Sequence, residues 1–381
     1  MVKGREVRDL LLPVLSGANR RLYARVIRSL LLCLTHAYSA ALHAHMGLYE
    51  VGLLRRVKLP CPVISVGNLT VGGTGKTSMV LMLARELHRR GLRPVVLAHG
   101  YGAASSQAVV VSDGGAVLLP PYAAGDEAFL LASSLAGVPV VAGRKRAASG
   151  ALALGFSPGV LVLDDGFQHW RLARDLDVVL LDAAEPFGFG YLLPRGLLRE
   201  PPSHLRRAGA VVITRCNMVS SDRLRAVERE VERWAPGVPI WRAWYEPVGM
   251  TRLDDGSSVD LWDVRGKRVA ALSSIAAPEA FEGMLRAMGA SKVIPIRYPD
   301  HHLYTPEDLV EIAGKVLSAN AEMLVTTEKD AVKVRALASG LPGSAVEAVR
   351  KARVLSVRMI VDDKERFLEF VVSFACTGMR S

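Results

Sequence analysis

The chain is poor in the residues that build disulfide frameworks and metal cages. Its four cysteines (Cys33, Cys61, Cys216, Cys376) are scattered, with no C-x-x-C spacing. That excludes a disulfide scaffold or a zinc ribbon and reads as ordinary reduced thiols of a cytosolic protein. The histidines at 36, 43, 45, 301 and 302 form no H-E-x-x-H pattern. No internal repeat or low-complexity tract is visible. With 50% apolar residues the chain has enough to bury, so it is not disordered, and 381 residues suffice for two domains. No module interleaves aromatic and basic residues for nucleic-acid stacking, so the net charge of +11 is not read as a nucleic-acid footprint.

Acidic residues are also scarce at the start. Residues 1–58 hold ten Lys and Arg against Glu6, Asp9 and Glu50, so +7 of the +11 lies here. From Ser29 to Tyr49 there is no Asp, Glu, Lys or Arg. As a helix at ~1.5 Å per residue, that stretch is roughly 30 Å long, enough for a bilayer core. Basic residues flank both ends, however, and give no crossing direction. At about 100° per residue, Arg21, Arg25, Arg28, His36, Ser39 and His43 share one arc of roughly 80°. Leu30, Leu31, Leu34, Ala41 and Leu42 lie largely off it. A basic stripe beside a Leu/Ala face predicts a helix lying on an anionic membrane surface. A full span and a core helix are the alternatives.

What is present is a phosphate loop. Thr70-Val71-Gly72-Gly73-Thr74-Gly75-Lys76-Thr77 follows the apolar run Pro62–Val66 and opens an amphipathic helix over 76–90. Glycine-rich backbone N–H groups face phosphate oxygens, Lys76 reaches the β/γ-phosphates, and the Thr77 hydroxyl holds Mg²⁺. Thr70 stands where the usual pattern has glycine. Val- and Leu-rich runs near 94–98, 138–142, 160–163, 178–181 and 211–214 alternate with helical stretches. This predicts a doubly wound α/β/α domain with its ligand site at strand C-termini. The run at 160–163 ends in Asp164-Asp165, acids that in loop-type nucleotide enzymes hold Mg²⁺ or its water. Gly125-Asp126-Glu127 opens a helix. Arg195 and Arg199 lie in a loop, placed to clamp phosphate oxygens or to stand in solvent. Pro236-Gly237-Val238-Pro239 breaks the pattern, and short runs around Asp254-Asp255-Gly256 read as a β-ribbon. The expected organisation is therefore a leader (1–58), a P-loop nucleotide domain (59–236), a β-ribbon linker (237–265) and a second, smaller α/β domain (266–381).

Several strings together resemble one family. They are Gly67–Thr77, Gly100-Tyr101-Gly102, Gly125-Asp126-Glu127, Asp164-Asp165-Gly166-Phe167-Gln168-His169, Leu198-Arg199-Glu200-Pro201, Pro299-Asp300-His301-His302 and Thr327-Glu328-Lys329-Asp330-Ala331-Val332-Lys333. In this order, over about residues 60 to 335, they look like the tetraacyldisaccharide 4′-kinases, the lipid A 4′-kinases of Gram-negative bacteria. The resemblance implies ATP- and Mg²⁺-dependent phosphorylation of the 4′-hydroxyl of a tetraacyldisaccharide 1-phosphate, giving lipid IVA. It implies an anionic glycolipid partner and attachment to the cytoplasmic face of the inner membrane through the N-terminal helix. We expect a monomer that binds no nucleic acid. Carried over by position, Asp126 matches the catalytic base and His301 its partner. Lys76 balances phosphate charge. Asp164, Asp165 and Glu200 match acids near metal and nucleotide, and Thr77 the metal-binding hydroxyl. Three positions depart from the family pattern: His99 replaces Arg before G-Y-G, Ser78 replaces Pro, and Ser273–Pro278 replaces a G-I-G-N-P-like turn.

A membrane-surface ATPase switch of the partitioning or division-site type also joins such a loop to an amphipathic helix. It carries an extra lysine just before the G-G-x-G-K-T run. Here that position is Val71.

Overall fold

The computed structural model describes residues 13–100, 107–300, 302–338 and 347–377. The chain forms two compact units. One comprises residues 10–244 with 359–381, the other residues 245–358.

The larger unit starts with α1 (Leu22–Glu50), a 29-residue helix. Its sheet contains β1 (Val63–Asn68), β2 (Pro94–Ala98), β3 (Val109–Ser112), β4 (Val140–Ala142), β5 (Val160–Asp164), β6 (Leu176–Asp182), β7 (Ala210–Thr214) and the first part of β8 (Ile240–Arg252). The spatial order is β8-β7-β6-β1-β5-β2-β4-β3, parallel except for the edge strand β3. β1, β2, β5 and β7 are buried at every position. That is why they read as continuous apolar runs rather than alternating ones. The crossovers carry α2 (Lys76–Arg89), α3 (Asp126–Ser134), α4 (Arg146–Ala153) and α5 (Ser221–Trp234). The chain runs from β1 outward and back to β5 on one side, then out through β6 on the other. The reversal beside β1 opens a crevice at the strand C-termini.

The smaller unit carries a parallel set of strands. β10 (Arg268–Ser273) lies between β11 (Lys292–Arg297) and β12 (Met323–Thr327), and β12 pairs with β13 (Arg353–Val361), all parallel. Successive residues of β10 face opposite ways. Ala270 and Leu272 join a core with Leu309 and Ile312 of α7 (Pro306–Ser318) and Val334 of α8 (Glu328–Ala338). Val269 and Ala271 join another with Phe281 and Leu285 of α6 (Pro278–Ala287). This is the second α/β layer structure expected from the sequence.

Two boundaries differ from the expected organisation. The expected ribbon is present as a short antiparallel pair, but its first strand is the 13-residue β8, which starts within the larger unit. It begins parallel to β7 and ends antiparallel to the two-residue β9 (Ser258–Val259), which gives way to a 3₁₀ turn at Leu261–Val264. The tail, counted with the second domain, returns to the larger unit as α9 (Lys364–Thr377). Phe367 and Phe370 pack on Trp241 at 5.1 Å, and Lys364 and Glu365 pair with Glu86 and Arg90.

Among the described residues no helix is long and apolar enough to cross a membrane. α1 instead shows three faces. Ala24, Thr35 and Met46 are buried, with Leu31 and Leu42 half-buried beside them. Arg21, Arg25, His36 and His43 form an exposed polar stripe. Leu22, Val26, Leu30, Leu34 and Leu48 are also exposed, Leu30 at 63% and Leu34 at 57%. The predicted apolar face is thus divided. Leu31 and Leu42 turn inward, and Leu30, Leu34 and Ala41 turn outward.

Candidate active site

The site grows from the end of β1. Asn68 is fully buried, and its Nδ2 donates to the Thr70 carbonyl at 2.7 Å. The Val71 N–H donates to Leu197 O at 2.8 Å, and the Arg199 N–H to Leu69 O at 2.7 Å. These contacts tie the loop to the 197–199 segment. Thr70 pairs with Leu198 in a short antiparallel bridge. It therefore lies before the phosphate-wrapping turn, in backbone that needs no glycine. From β7, the Thr214 hydroxyl donates to Thr74 O at 3.0 Å. Arg215 donates to Gly73 O and pairs with Asp182 at the end of β6. Gly75 caps α2 at φ +97°, a conformation that side chains resist. Gly72 and Gly73 are exposed, and Thr77 lies half-buried in the first turn of α2.

Lys76 Nζ lies 3.2 Å from Asn68 Oδ1 and 3.6 Å from Asp165 Oδ1. Arg199 Nη1 donates to both Asp165 oxygens at 2.9 Å and to Gln168 at 3.3 Å. Gln168 in turn donates to Asn68 O at 2.9 Å. Asp165 turns the chain at φ +52°, which lets it and Asp164 leave the strand end in different directions. The close approach of this segment to β1 depends on Gly67. A Cβ there would stand 2.5 Å from Phe167 Cβ and 2.8 Å from its backbone nitrogen.

The two aspartates are electrostatically unlike. Burial alone raises the Asp165 carboxyl, but Lys76 and Arg199 more than offset it and hold it below the usual range. Asp164 is pushed up to about 7, by burial first and then by Glu127 and Asp165, against the pull of Lys76 and Arg146. Its Oδ1 is buried and has no hydrogen-bond partner. Beneath it the buried Arg146 donates to the Asp164 carbonyl at 2.6 Å and to Gly143 O at 3.3 Å. His169 falls to about 4 through burial, Arg146 and His99. His99 is likewise lowered, by burial and then Arg146. The His169 imidazole is therefore neutral at pH 7. At position 99 burial and Arg146 thus disfavour the charged form of the imidazole.

Asp126 and Glu127 open α3, with Asp126 half-buried. Glu127 is near enough to Asp164 to raise its carboxyl. Glu200 takes a different part from the one expected. It is fully buried, and its carboxylate is taken up by Arg207, by His204 at 2.8 Å and by Trp170 Nε1 at 3.4 Å. Its carboxylate oxygens are thus already engaged by protein donors. Among the described residues no group of three or more His, Cys, Asp or Glu is placed to hold a metal ion.

In the smaller unit, His301 lies outside the described residues. Its neighbours are pinned from α8. Lys329 pairs with Asp300 at 3.0 Å, Lys333 donates to His302 O at 3.0 Å, and the buried Asp330 accepts from Tyr304 at 3.3 Å. Asp330 also accepts from the Ser274 N–H at 2.9 Å and from its hydroxyl. The departing Ser273–Pro278 turn is thus anchored through Ser274.

A family model described as tetraacyldisaccharide-1-P 4′-kinase matches residues 27–374. The chain belongs to the tetraacyldisaccharide 4′-kinase family. It is 42% identical to the tetraacyldisaccharide 4′-kinase of Syntrophus aciditrophicus, covering 87% of this chain and 88% of that one. It is 44% identical to that of Anaeromyxobacter dehalogenans strain 2CP-C, over 82% and 83%. Among solved structures it resembles LpxK from Aquifex aeolicus in complex with ATP. The TM-score is 0.69 and the identity 32%, covering 91% of this chain and 99% of that one. The sequence singled out the loop, the aspartate pair and Arg199, which the structure brings together beside β1. Sequence reasoning missed Asn68, Arg146 and Arg215. A basic run after β4 (Arg144-Lys145-Arg146) and a polar pair ending β7 (Thr214-Arg215) were the available signals, because ligands of such sheets gather at strand C-termini.

Proposed function

We propose that this chain transfers the γ-phosphoryl group of ATP to the 4′-hydroxyl of a tetraacyldisaccharide 1-phosphate, with Asp126 as the base. The observation that carries the site assignment is the convergence of Lys76, Asp165 and the unpartnered Asp164 oxygen on the phosphate loop. ATP fits this loop. Gly72 and Gly73 present exposed backbone, and the buried Thr74 hydroxyl lacks a partner. Mg²⁺ fits as well, since it is commonly held by one or two carboxylates plus phosphate oxygens rather than by a protein cage. Thr77, Asp164 and Asp165 would hold it, directly or through water. When bound, it would supply positive charge that offsets the charge on the transferring phosphoryl group.

The chain's own residues position and neutralise. The loop backbone and Lys76 bind the β/γ-phosphates. On their arrival Lys76 exchanges Asp165 for phosphate oxygen, while Arg199 keeps Asp165 in place. Asp126 accepts the proton of the 4′-hydroxyl as the new O–P bond forms and the bond to the β-phosphate oxygen breaks. His301 contributes to the same step, a role resting on the family pattern alone. Glu200 supports Arg199 from the adjacent buried ion cluster. The outward Leu30/Leu34 face of α1, with its neighbouring basic stripe, lies on the cytoplasmic face of the inner membrane, where the acyl chains of the substrate remain embedded. The protein acts as a monomer.

The test is incubation of Asp126→Ala with ATP, Mg²⁺ and the disaccharide 1-phosphate lipid. Transfer should fall by about 10²-fold or more, with ATP affinity retained. Wild-type rates in this variant would sink the assignment.

A further inference from the structure

Away from the phosphate loop, the larger unit holds a second cation-rich recess. A cavity of about 190 Å³ opens beside Trp170, with Arg56, Arg174, Asp177 and Arg207 on its wall. The three guanidinium groups differ in how far they are satisfied. Arg174 is committed: it donates to Asp177 at 2.8 Å, to Leu172 O at 3.0 Å and to His169 O. Arg207 is half committed. One nitrogen donates to Glu200, and the group lies 4.3 Å from the Phe167 ring centre and 4.1 Å from that of Trp170. Its Nε and Nη1 are nevertheless buried without an acceptor. Arg56 lies over Trp170 at 5.5 Å, and its guanidinium makes no ion pair or hydrogen bond among the described residues.

Asp177 is balanced by Arg174 and Glu200 by Arg207, which leaves Arg56 as surplus positive charge. Two buried donors without acceptors and one uncompensated cation call for an anion with several oxygens. The surroundings narrow its source. Tyr49, near the end of α1, stands 6.3 Å from Trp170, and the residues between that helix and Arg56 include the exposed Val51 (70%), Leu53 (73%) and Leu54 (36%). A free ion has no use for such neighbours, whereas an amphiphile buries them.

We propose that this recess binds the phosphate of a membrane phospholipid headgroup, with Arg56 and Arg207 as its donors and Val51–Leu54 meeting the acyl region. The site builds on the membrane-surface reading of α1, but its test needs no membrane. Dihexanoyl phosphatidylglycerol, below its micelle concentration, is titrated calorimetrically into the full chain. A non-hydrolysable ATP analogue is kept saturating so that the phosphate loop is filled. Saturable binding is expected, weakened about tenfold by Arg56→Gln, with thermal stability and analogue affinity unchanged. Arg207→Lys, which keeps the charge but removes the Nε and Nη1 donors, should weaken it too. If that variant fails to fold, Arg56→Gln decides alone. Inorganic phosphate should compete only weakly. The proposal is overturned by absence of binding, by equal affinity of Arg56→Gln, or by inorganic phosphate binding as tightly as the lipid. Loss of vesicle association with this binding intact would count against the α1 reading and leave the site standing.

Discussion

Asp164 and Asp165 show how one peptide bond separates two electrostatic fates. Asp165 meets Lys76 and Arg199 and stays ionised, whereas Asp164 sits under the sheet end at about 7. A carboxyl raised above its unfolded value of 3.8 contributes stability that is complete below that pH and lost as pH rises through about 7. In nucleotide- and metal-free protein, Asp164→Asn should therefore raise the unfolding free energy. The gain should widen from pH 5 to pH 8 and reach on the order of 2–4 kcal/mol, read from urea melts. The same variant should lose phosphoryl transfer, a separation of stability from activity. Gly67→Ala works the other way. Its methyl group meets Phe167 at 2.5 Å, so it should cost about 1–3 kcal/mol and weaken ATP binding, measured by the same melts and by calorimetry. Lys76, Thr77 and the aspartate pair were legible because they are contiguous with a glycine-rich turn or a strand end. Asn68, Arg146 and Arg215 were harder to read, because they lie at or just beyond the ends of three separate strands and the short polar strings that carry two of them do not say what they will meet.

At the scale of elements, α1 is the most informative. Periodicity revealed its basic stripe but not which leucines turn inward, since that depends on the surface it meets. The Thr35 hydroxyl donates to Leu192 O at 3.2 Å and accepts from the Arg195 N–H at 3.1 Å, and Tyr38 donates to Arg199 O at 2.8 Å. These contacts fix the helix rotation and leave Leu30 and Leu34 outside. Leu30→Asp/Leu34→Asp should release the protein from anionic vesicles in sedimentation, with the melting temperature shifted little, because neither side chain packs in the core. Retained association would remove the helix from the membrane account. Tyr38→Phe should cost about 1 kcal/mol and loosen the segment that carries Arg199. α8 plays the matching part in the smaller unit, where Lys329, Asp330 and Lys333 hold the segment around His302. Residues of the T-E-K-D-A-V-K string thus hold that segment in position.

For the whole molecule, the layered α/β character of both units was legible from alternating apolar runs and helical stretches. The chain path was not. An amphipathic tail helix carries no mark of which unit it will cover, and the return of α9 to Trp241 depends on surface complementarity between distant segments. Truncation after Arg358 should therefore lower the stability of the nucleotide-binding unit, seen as faster amide exchange in α2 and β7, while the core of 269–334 keeps its protection. The family assignment and the loop geometry converge on one activity. The most direct test supplies γ-labelled ATP, Mg²⁺ and a tetraacyldisaccharide 1-phosphate to the purified chain and follows label into lipid by mass and by ³¹P resonance. The account predicts one new phosphate monoester, at the 4′ position, formed by the wild type and not by Asp126→Ala. ATP hydrolysis without a labelled lipid, or equal transfer by the variant, would contradict it.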